Sequence, residues 1–130
     1  MQEQHHLLPV GGDILFIDSS HVIRPQGDVL REYLEILPRL AKGVWVHVHD
    51  ICTPRDYPTP WITDEIKLWN EQYLLEAFLS HNQDFRVAWM MGHMFQAHHE
   101  AVLKRCPGLR RAREKRHNVV GGSFWMEKVR

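Results

Sequence analysis

The stretch ILFIDSSHV, residues 14–22, decides how the chain folds. It opens with four apolar residues and then changes at Asp18 to two serines and His21. A short, continuously apolar run that ends in polar residues is typical of a strand buried on both faces, as in a parallel sheet. We therefore predict a strand over 13–17, with a carboxylate and an imidazole just beyond its end.

A second apolar run, VWVHV at 44–48, predicts another strand of the same kind, and His49 and Asp50 follow it. Between the two strands an apolar stripe recurs at helical spacing, formed by Leu30, Tyr33, Leu34 and Leu37. Asp28 is the expected N-cap of this helix, and Pro38 is expected to end its regular part. Strand, helix and strand in this order predict a right-handed βαβ unit.

The remainder of the chain continues the α/β pattern without a domain boundary, so 1–130 is expected to be a single domain. Thr63 is the expected N-cap of a long helix that ends near Ser80. The later elements are a strand over 85–91, a helix over 94–105 and a last strand over 121–129, with 92–118 as a variable, basic connector.

Composition restricts the partners and the compartment. Lysine plus arginine and aspartate plus glutamate number 16 each, so no global field attracts nucleic acid or an anionic membrane. No apolar run approaches the ~20 residues of a membrane span. Two cysteines do not make a disulfide framework, which favours a cytoplasmic protein in which Cys52 is an incidental thiol.

The polar residues that follow the two strands predict one site. Ligands bind beyond the carboxyl ends of parallel strands, so Asp18 and His21 should lie close to His49 and Asp50. Carboxylates suit Mg²⁺, and a histidine beside them suits a general base. Two alternatives stay open at this point: Asp18 caps the following turn, and His21 only hydrogen-bonds its loop.

Other polar residues are expected to have structural roles. His47 alternates with His49 along the strand and is expected to be a satisfied core or helix-facing histidine. Trp69, Asn70, Glu71 and Tyr73 are expected to pack against loops and cap them, rather than to touch a substrate.

Several blocks in series resemble the C-terminal half of class I S-adenosylmethionine-dependent methyltransferases, in particular a stand-alone bacterial subgroup. The blocks are GDILFIDSSHV, EILPRLAKGVWVHVHDI, the P-x-x-YP-x-x-W loop, WNEQYLLEAFL and GGSFW. The resemblance implies a partial Rossmann-like sheet with flanking helices. Its strands would be the fourth to the seventh of that fold, the last one antiparallel.

The resemblance also implies roles for the site residues. Metal-assisted O-methyltransferases of this superfamily bind Mg²⁺ at positions that Asp18 and Asp50 match, while His49 stands where an acidic residue is usual. Asp18-x-x-His21 resembles the Asp-x-x-His of sugar O-methyltransferases, in which the histidine is a candidate base. The implied activity is S-adenosylmethionine-dependent O-methylation of a small molecule such as a sugar or natural product.

The cofactor-binding part of the family pattern is missing from this sequence. No glycine-rich turn leads from a strand into a helix, and no acidic residue stands in place to hold the cofactor ribose. Two interpretations follow: a C-terminal fragment that is inactive alone, or a non-catalytic remnant that binds a partner. In both, the first strand would be an exposed edge, which favours a homo-oligomer that pairs through it.

Overall fold

The computed structural model describes residues 8–115 and 121–130, and its centre is a mixed β-sheet. The strands are β1 (Ile14–Ile17), β2 (Trp45–Val48), β3 (Phe85–Met90) and β4 (Phe124–Lys128). Their order is β1-β2-β4-β3, with β1 and β2 parallel and β4 antiparallel to both of its neighbours. The predicted α/β class, the four strands and the antiparallel last strand are confirmed.

Helical segments connect the strands. They are α1 (Asp28–Arg31), which continues as a π-helical turn (Glu32–Ile36) and a 3₁₀ turn (Leu37–Arg39), then α2 (Thr59–Thr63), α3 (Glu71–Ser80), α4 (Met91–Ala97), α5 (His99–Arg105) and α6 (Pro107–Lys115). Within the described ranges, no helix is long and apolar enough to cross a membrane.

The hydrophobic core lies on one face of the sheet. Alternate strand residues point into it, namely Ile17, Val46, Val48, Phe124 and Met126. The first helical segment buries Val29, Tyr33 and Leu37 against them, whereas Leu34, predicted to be part of the apolar stripe, is 62% exposed. The π turn widens this segment beyond 3.6 residues per turn, so a spacing of four residues keeps one face toward the core.

The opposite face of the sheet is less covered than the sequence predicts. Ile14 and Phe16 of β1 are 60% and 56% exposed, although an apolar run such as ILFI suggested burial on both sides. Their neighbours on this face, Trp45, His47 and Trp125, are half-buried. The prediction was wrong here because a continuous apolar pattern shows only that both faces tolerate burial, not that both are covered.

The predicted long helix from Thr63 to Ser80 is also wrong. Thr63 ends α2, and an irregular segment over 64–70 separates it from α3. Ile66 in that segment has a φ of +53°, a left-handed conformation that a β-branched residue adopts only at a break in regular structure. Trp69 is not on a helical stripe but packs at 5.2 Å from Trp61, and Lys67 lies over both indole rings.

Further helix boundaries differ from expectation. Gly27, not Asp28, occupies the N-cap of α1, and the Asp28 carboxylate accepts hydrogen bonds from Ser20 and from the N–H of Val29. The predicted helix over 94–105 begins earlier and is interrupted at His98. The proposed connector over 92–118 is helical as far as Lys115, and its last residues lie outside the described ones.

Candidate functional site

The parallel pairing of β1 and β2 places their carboxyl ends at the same edge of the sheet. Ile17 lies opposite Val48, so the residues that follow each strand begin side by side. The structure thereby brings together the four predicted site residues, Asp18, His21, His49 and Asp50. We refer to these four residues as the strand-end cluster.

The imidazole nitrogens and carboxylate oxygens of the strand-end cluster lie within ion-pair distance of one another. Nε2 of His21 lies 3.5 Å from Oδ1 of Asp18 and 3.9 Å from Oδ2 of Asp50. Nδ1 of His49 lies 3.5 Å from Oδ1 of Asp18 and 3.3 Å from Oδ1 of Asp50. His21 is buried, whereas Asp18 and His49 are roughly half exposed and border the solvent. The Asp18 carboxylate and the His49 ring are therefore the parts of the cluster that a ligand meets first.

Two members of the cluster have a left-handed backbone. His21 has a φ of +58° and Asp50 a φ of +55°. Such conformations cost on the order of 1–3 kcal/mol, although histidine and aspartate tolerate them better than most residues. Surrounding contacts stabilise the first of them: the carbonyl oxygen of His21 accepts from the N–H groups of Asn70 and Glu71, at 2.9 and 3.2 Å.

A buried carboxylate behind His21 is the main feature that the sequence did not reveal. Oε2 of Glu71 lies 2.7 Å from Nδ1 of His21, and Oε1 accepts a 3.0 Å hydrogen bond from the Tyr33 hydroxyl. Glu71 and Tyr33 are both fully buried. An acidic residue at the start of a helix ordinarily faces solvent and the helix dipole, so the pattern around Glu71 carried no signal of burial.

The start of α3 connects the two loops that carry the cluster. Oδ1 of Asn70 accepts from the N–H of Ile23 at 2.6 Å, in the loop after β1. Oε1 of Gln72 accepts from the N–H of Cys52 at 3.1 Å, in the loop after β2. The expectation that this segment packs against loops and caps them is confirmed for Asn70. For Glu71 it is wrong, because its carboxylate bonds His21, and Trp69 adds a ring contact at 4.4 Å to the same histidine.

The two alternative interpretations of the β1 loop can now be compared with the contacts. Asp28, not Asp18, accepts the hydrogen bonds from the Ser20 backbone N–H and hydroxyl, at 2.9 and 2.6 Å. Asp18 instead faces the two imidazoles of the cluster. His21 does hydrogen-bond, but to Glu71 of a distant helix rather than to its own loop.

The environment of His21 determines the direction of its pKa. The hydrogen bond to Glu71 is the largest influence and raises the pKa above its ordinary value, together with the nearby charges of Glu71, Asp50 and Asp18. Burial acts in the opposite direction but is outweighed. The imidazolium form is therefore stabilised, as a group that accepts a proton during a reaction requires.

The polar groups of the cluster pair with one another instead of converging on one point. Mg²⁺ takes oxygen ligands at about 2.0–2.1 Å in near-octahedral geometry. In residues 8–115 and 121–130 no group of three or more His, Cys, Asp or Glu side chains is arranged to hold a metal ion. The expectation of Mg²⁺ at Asp18 and Asp50, with His49, thus gains no support from their arrangement.

Neighbouring residues have the structural roles expected of them. His47 is satisfied by a 2.8 Å hydrogen bond to the Ser123 hydroxyl and stacks on Trp125 at 4.5 Å. Burial lowers its pKa. Burial also raises the pKa of the Cys52 thiol to about 11, so this buried cysteine is a poor nucleophile.

Comparison with known proteins adds one result. Residues 2–51 match the sequence model of a family described as a methyltransferase domain. The matched segment contains β1, β2 and all four residues of the strand-end cluster. No curated protein and no solved structure matches the chain.

A methyltransferase domain implies S-adenosylmethionine as the methyl donor. Among the described residues, the glycines nearest the start of the chain, Gly11 and Gly12, precede β1. Two carboxylates and two imidazoles follow the carboxyl ends of β1 and β2.

Proposed function

We propose that the chain is the C-terminal, acceptor-binding half of an S-adenosylmethionine-dependent O-methyltransferase that acts on a small molecule. One observation carries the proposal: within the segment that matches a methyltransferase domain, a buried His21 faces Asp18 and Asp50 and is backed by Glu71 from outside that segment. The strand order supports the assignment of β1 to β4 as strands four to seven of that fold.

His21 is the proposed general base. Its Nε2 would accept the proton of the acceptor hydroxyl, which increases the electron density on the oxygen that takes the methyl group. Asp18 and Asp50 would hydrogen-bond the acceptor and stabilise the imidazolium that forms. His49, whose side chain is about half exposed beside Asp18, would help to orient the acceptor.

The function is tested by cofactor binding and by turnover. Calorimetric titration with S-adenosylmethionine, and with its demethylated product, is carried out on the chain and on the product of its reading frame extended upstream. Binding only by the extended product supports the half-domain assignment. Lack of binding by both contradicts it.

Replacement of the proposed base gives a second test. His21→Ala should lower turnover by about 10²–10⁴-fold in the active form, measured as release of demethylated cofactor over a panel of sugars and phenols. His81→Ala is the matched control, because His81 lies at the end of α3, away from the strand-end cluster. Unchanged turnover in His21→Ala would exclude the base role.

A non-catalytic α/β module that associates with itself is the second candidate function. The absence of a glycine-rich turn from the sequence favours it, and so does the position of β1 at the end of the described sheet. Ile14 and Phe16 expose most of their apolar surface on this strand. An exposed apolar edge strand is a template for pairing, so we infer a homo-oligomer formed through β1.

A further inference from the structure

The Glu71 carboxylate is fully buried inside the fold and needs a structural or chemical reason. A carboxylate removed from water is costly unless hydrogen-bond donors satisfy it. Two donors are within reach, the Tyr33 hydroxyl at 3.0 Å and Nδ1 of His21 at 2.7 Å. Each carboxylate oxygen has one of them, so the carboxylate is fixed through both of its oxygens.

The chemistry of these partners assigns the proton on His21. An ionised carboxylate only accepts hydrogen bonds, so Nδ1 must carry hydrogen to bond at 2.7 Å. A neutral imidazole has only one N–H, and its lone pair is then on Nε2. That atom faces the carboxylates of Asp18 and Asp50, at 3.5 and 3.9 Å.

The Tyr33 hydroxyl bonds one oxygen of the Glu71 carboxylate and leaves the other oxygen for His21. Burial raises the pKa of Tyr33 far above its usual range, so the hydroxyl stays protonated and donates to Oε1. Tyr33 belongs to the π turn, whose wider spacing directs it into the core beside Val29 and Leu37. The connection from Tyr33 through Glu71 to His21 thus joins three separate parts of the chain.

We propose that Glu71 is a positioning residue that holds His21 in the Nδ1–H tautomer, with the lone pair of Nε2 presented to the acceptor. The role of this tautomer toward an acceptor rests on the proposed function. The tautomer itself does not, because it can be observed without turnover. The arrangement is comparable in logic to a carboxylate that orients a catalytic histidine in hydrolases.

The test is nitrogen-15 NMR of the histidine rings in the 130-residue chain, at a pH where His21 is neutral. The unmodified chain should show Nδ1–H at His21, with a ring N–H protected from exchange. In Glu71→Gln, the amide oxygen accepts from Tyr33 and the amide nitrogen faces Nδ1, so His21 should change to the Nε2–H tautomer. Loss of the Nδ1–H signal in this variant supports the proposal.

Two controls make the result specific. Glu76→Gln is the matched variant, since Glu76 is on the same helix but exposed and bonded to Thr53. The His47 ring, held by Ser123, reports whether each variant is folded. An Nε2–H tautomer in the unmodified chain would overturn the proposal even if Glu71→Gln fails to fold, and so would an unchanged tautomer in a folded Glu71→Gln.

These outcomes separate the proposal from the proposed function. If His21 has the Nδ1–H tautomer but neither the chain nor the extended product binds the cofactor, the positioning role of Glu71 is retained and the methyltransferase function is rejected. If the cofactor binds but His21 has the Nε2–H tautomer, the methyltransferase function is retained and the positioning role is rejected.

Discussion

At the scale of single residues, the hydrogen-bond partner of each histidine decides the direction in which its pKa shifts. His21 and His47 both lie near the paired strands β1 and β2, yet their pKa values shift in opposite directions. His21 has a buried carboxylate as partner, whereas His47 has a hydroxyl and aromatic rings. Burial disfavours both cations, and only the carboxylate reverses that effect for His21.

This difference predicts a pH dependence of stability. The raised pKa of His21 contributes stability that is fully present below the unfolded value of 6.5 and is lost as pH rises through the higher folded pKa. His47 acts oppositely, because its lowered pKa means that folding is favoured as pH rises. The difference in the free energy of unfolding between the unmodified chain and Glu71→Gln should therefore shrink as the pH rises above 6.5. The contribution of His47 is the same in both proteins and cancels from this difference.

Urea unfolding of both proteins across that pH range measures the difference. Glu76→Gln serves as reference and should follow the unmodified chain throughout. A difference that is constant or grows with pH would show that the pKa of His21 is not raised by Glu71.

At the scale of elements, the turn that precedes β4 packs against Asp50. Gly122 packs so closely that a Cβ on it would meet Cα of Asp50 at 2.9 Å and Oδ1 of Asp50 at 3.2 Å. Its carbonyl oxygen also accepts from the N–H of Ile51 at 2.9 Å. The turn before the last strand therefore forms the floor of a site whose functional side chains come from elsewhere.

Gly122→Ala tests this contact. The added methyl must displace backbone at the end of β2, so the free energy of unfolding should fall by about 1–3 kcal/mol. Gly108→Ala is the control, because among the described residues no atom beyond its own helix lies within 4 Å of the added methyl, and its helix gains from alanine. Denaturant midpoints measure both changes, and a Gly122→Ala midpoint equal to that of the unmodified chain would contradict the close packing.

At the scale of the whole molecule, the sheet is covered unevenly. One face holds the core, while Ile14 and Phe16 on the other face remain mostly exposed at the β1 edge. Apolar side chains on an unprotected edge favour association, because pairing removes them from water and satisfies backbone groups.

Ile14→Lys should therefore dissociate the proposed homo-oligomer, since a charge on an edge strand opposes pairing. Leu34→Lys is the control, because Leu34 is about equally exposed but belongs to a helical segment and not to the edge strand. Light scattering over a range of concentrations measures the mass. A monomer at high concentration in the unmodified chain, or equal dissociation by both variants, would contradict association through β1.

The sequence by itself determined the strands, the parallel β1–β2 pair and the meeting of Asp18, His21, His49 and Asp50. These features follow from local apolar runs and from the geometry of parallel strand ends. Only the tertiary structure decided the break between α2 and α3, the exposure of Ile14 and Phe16, and the partnership of Glu71 with His21. Those depend on contacts between residues as far apart as His21 and Glu71, which no local pattern encodes.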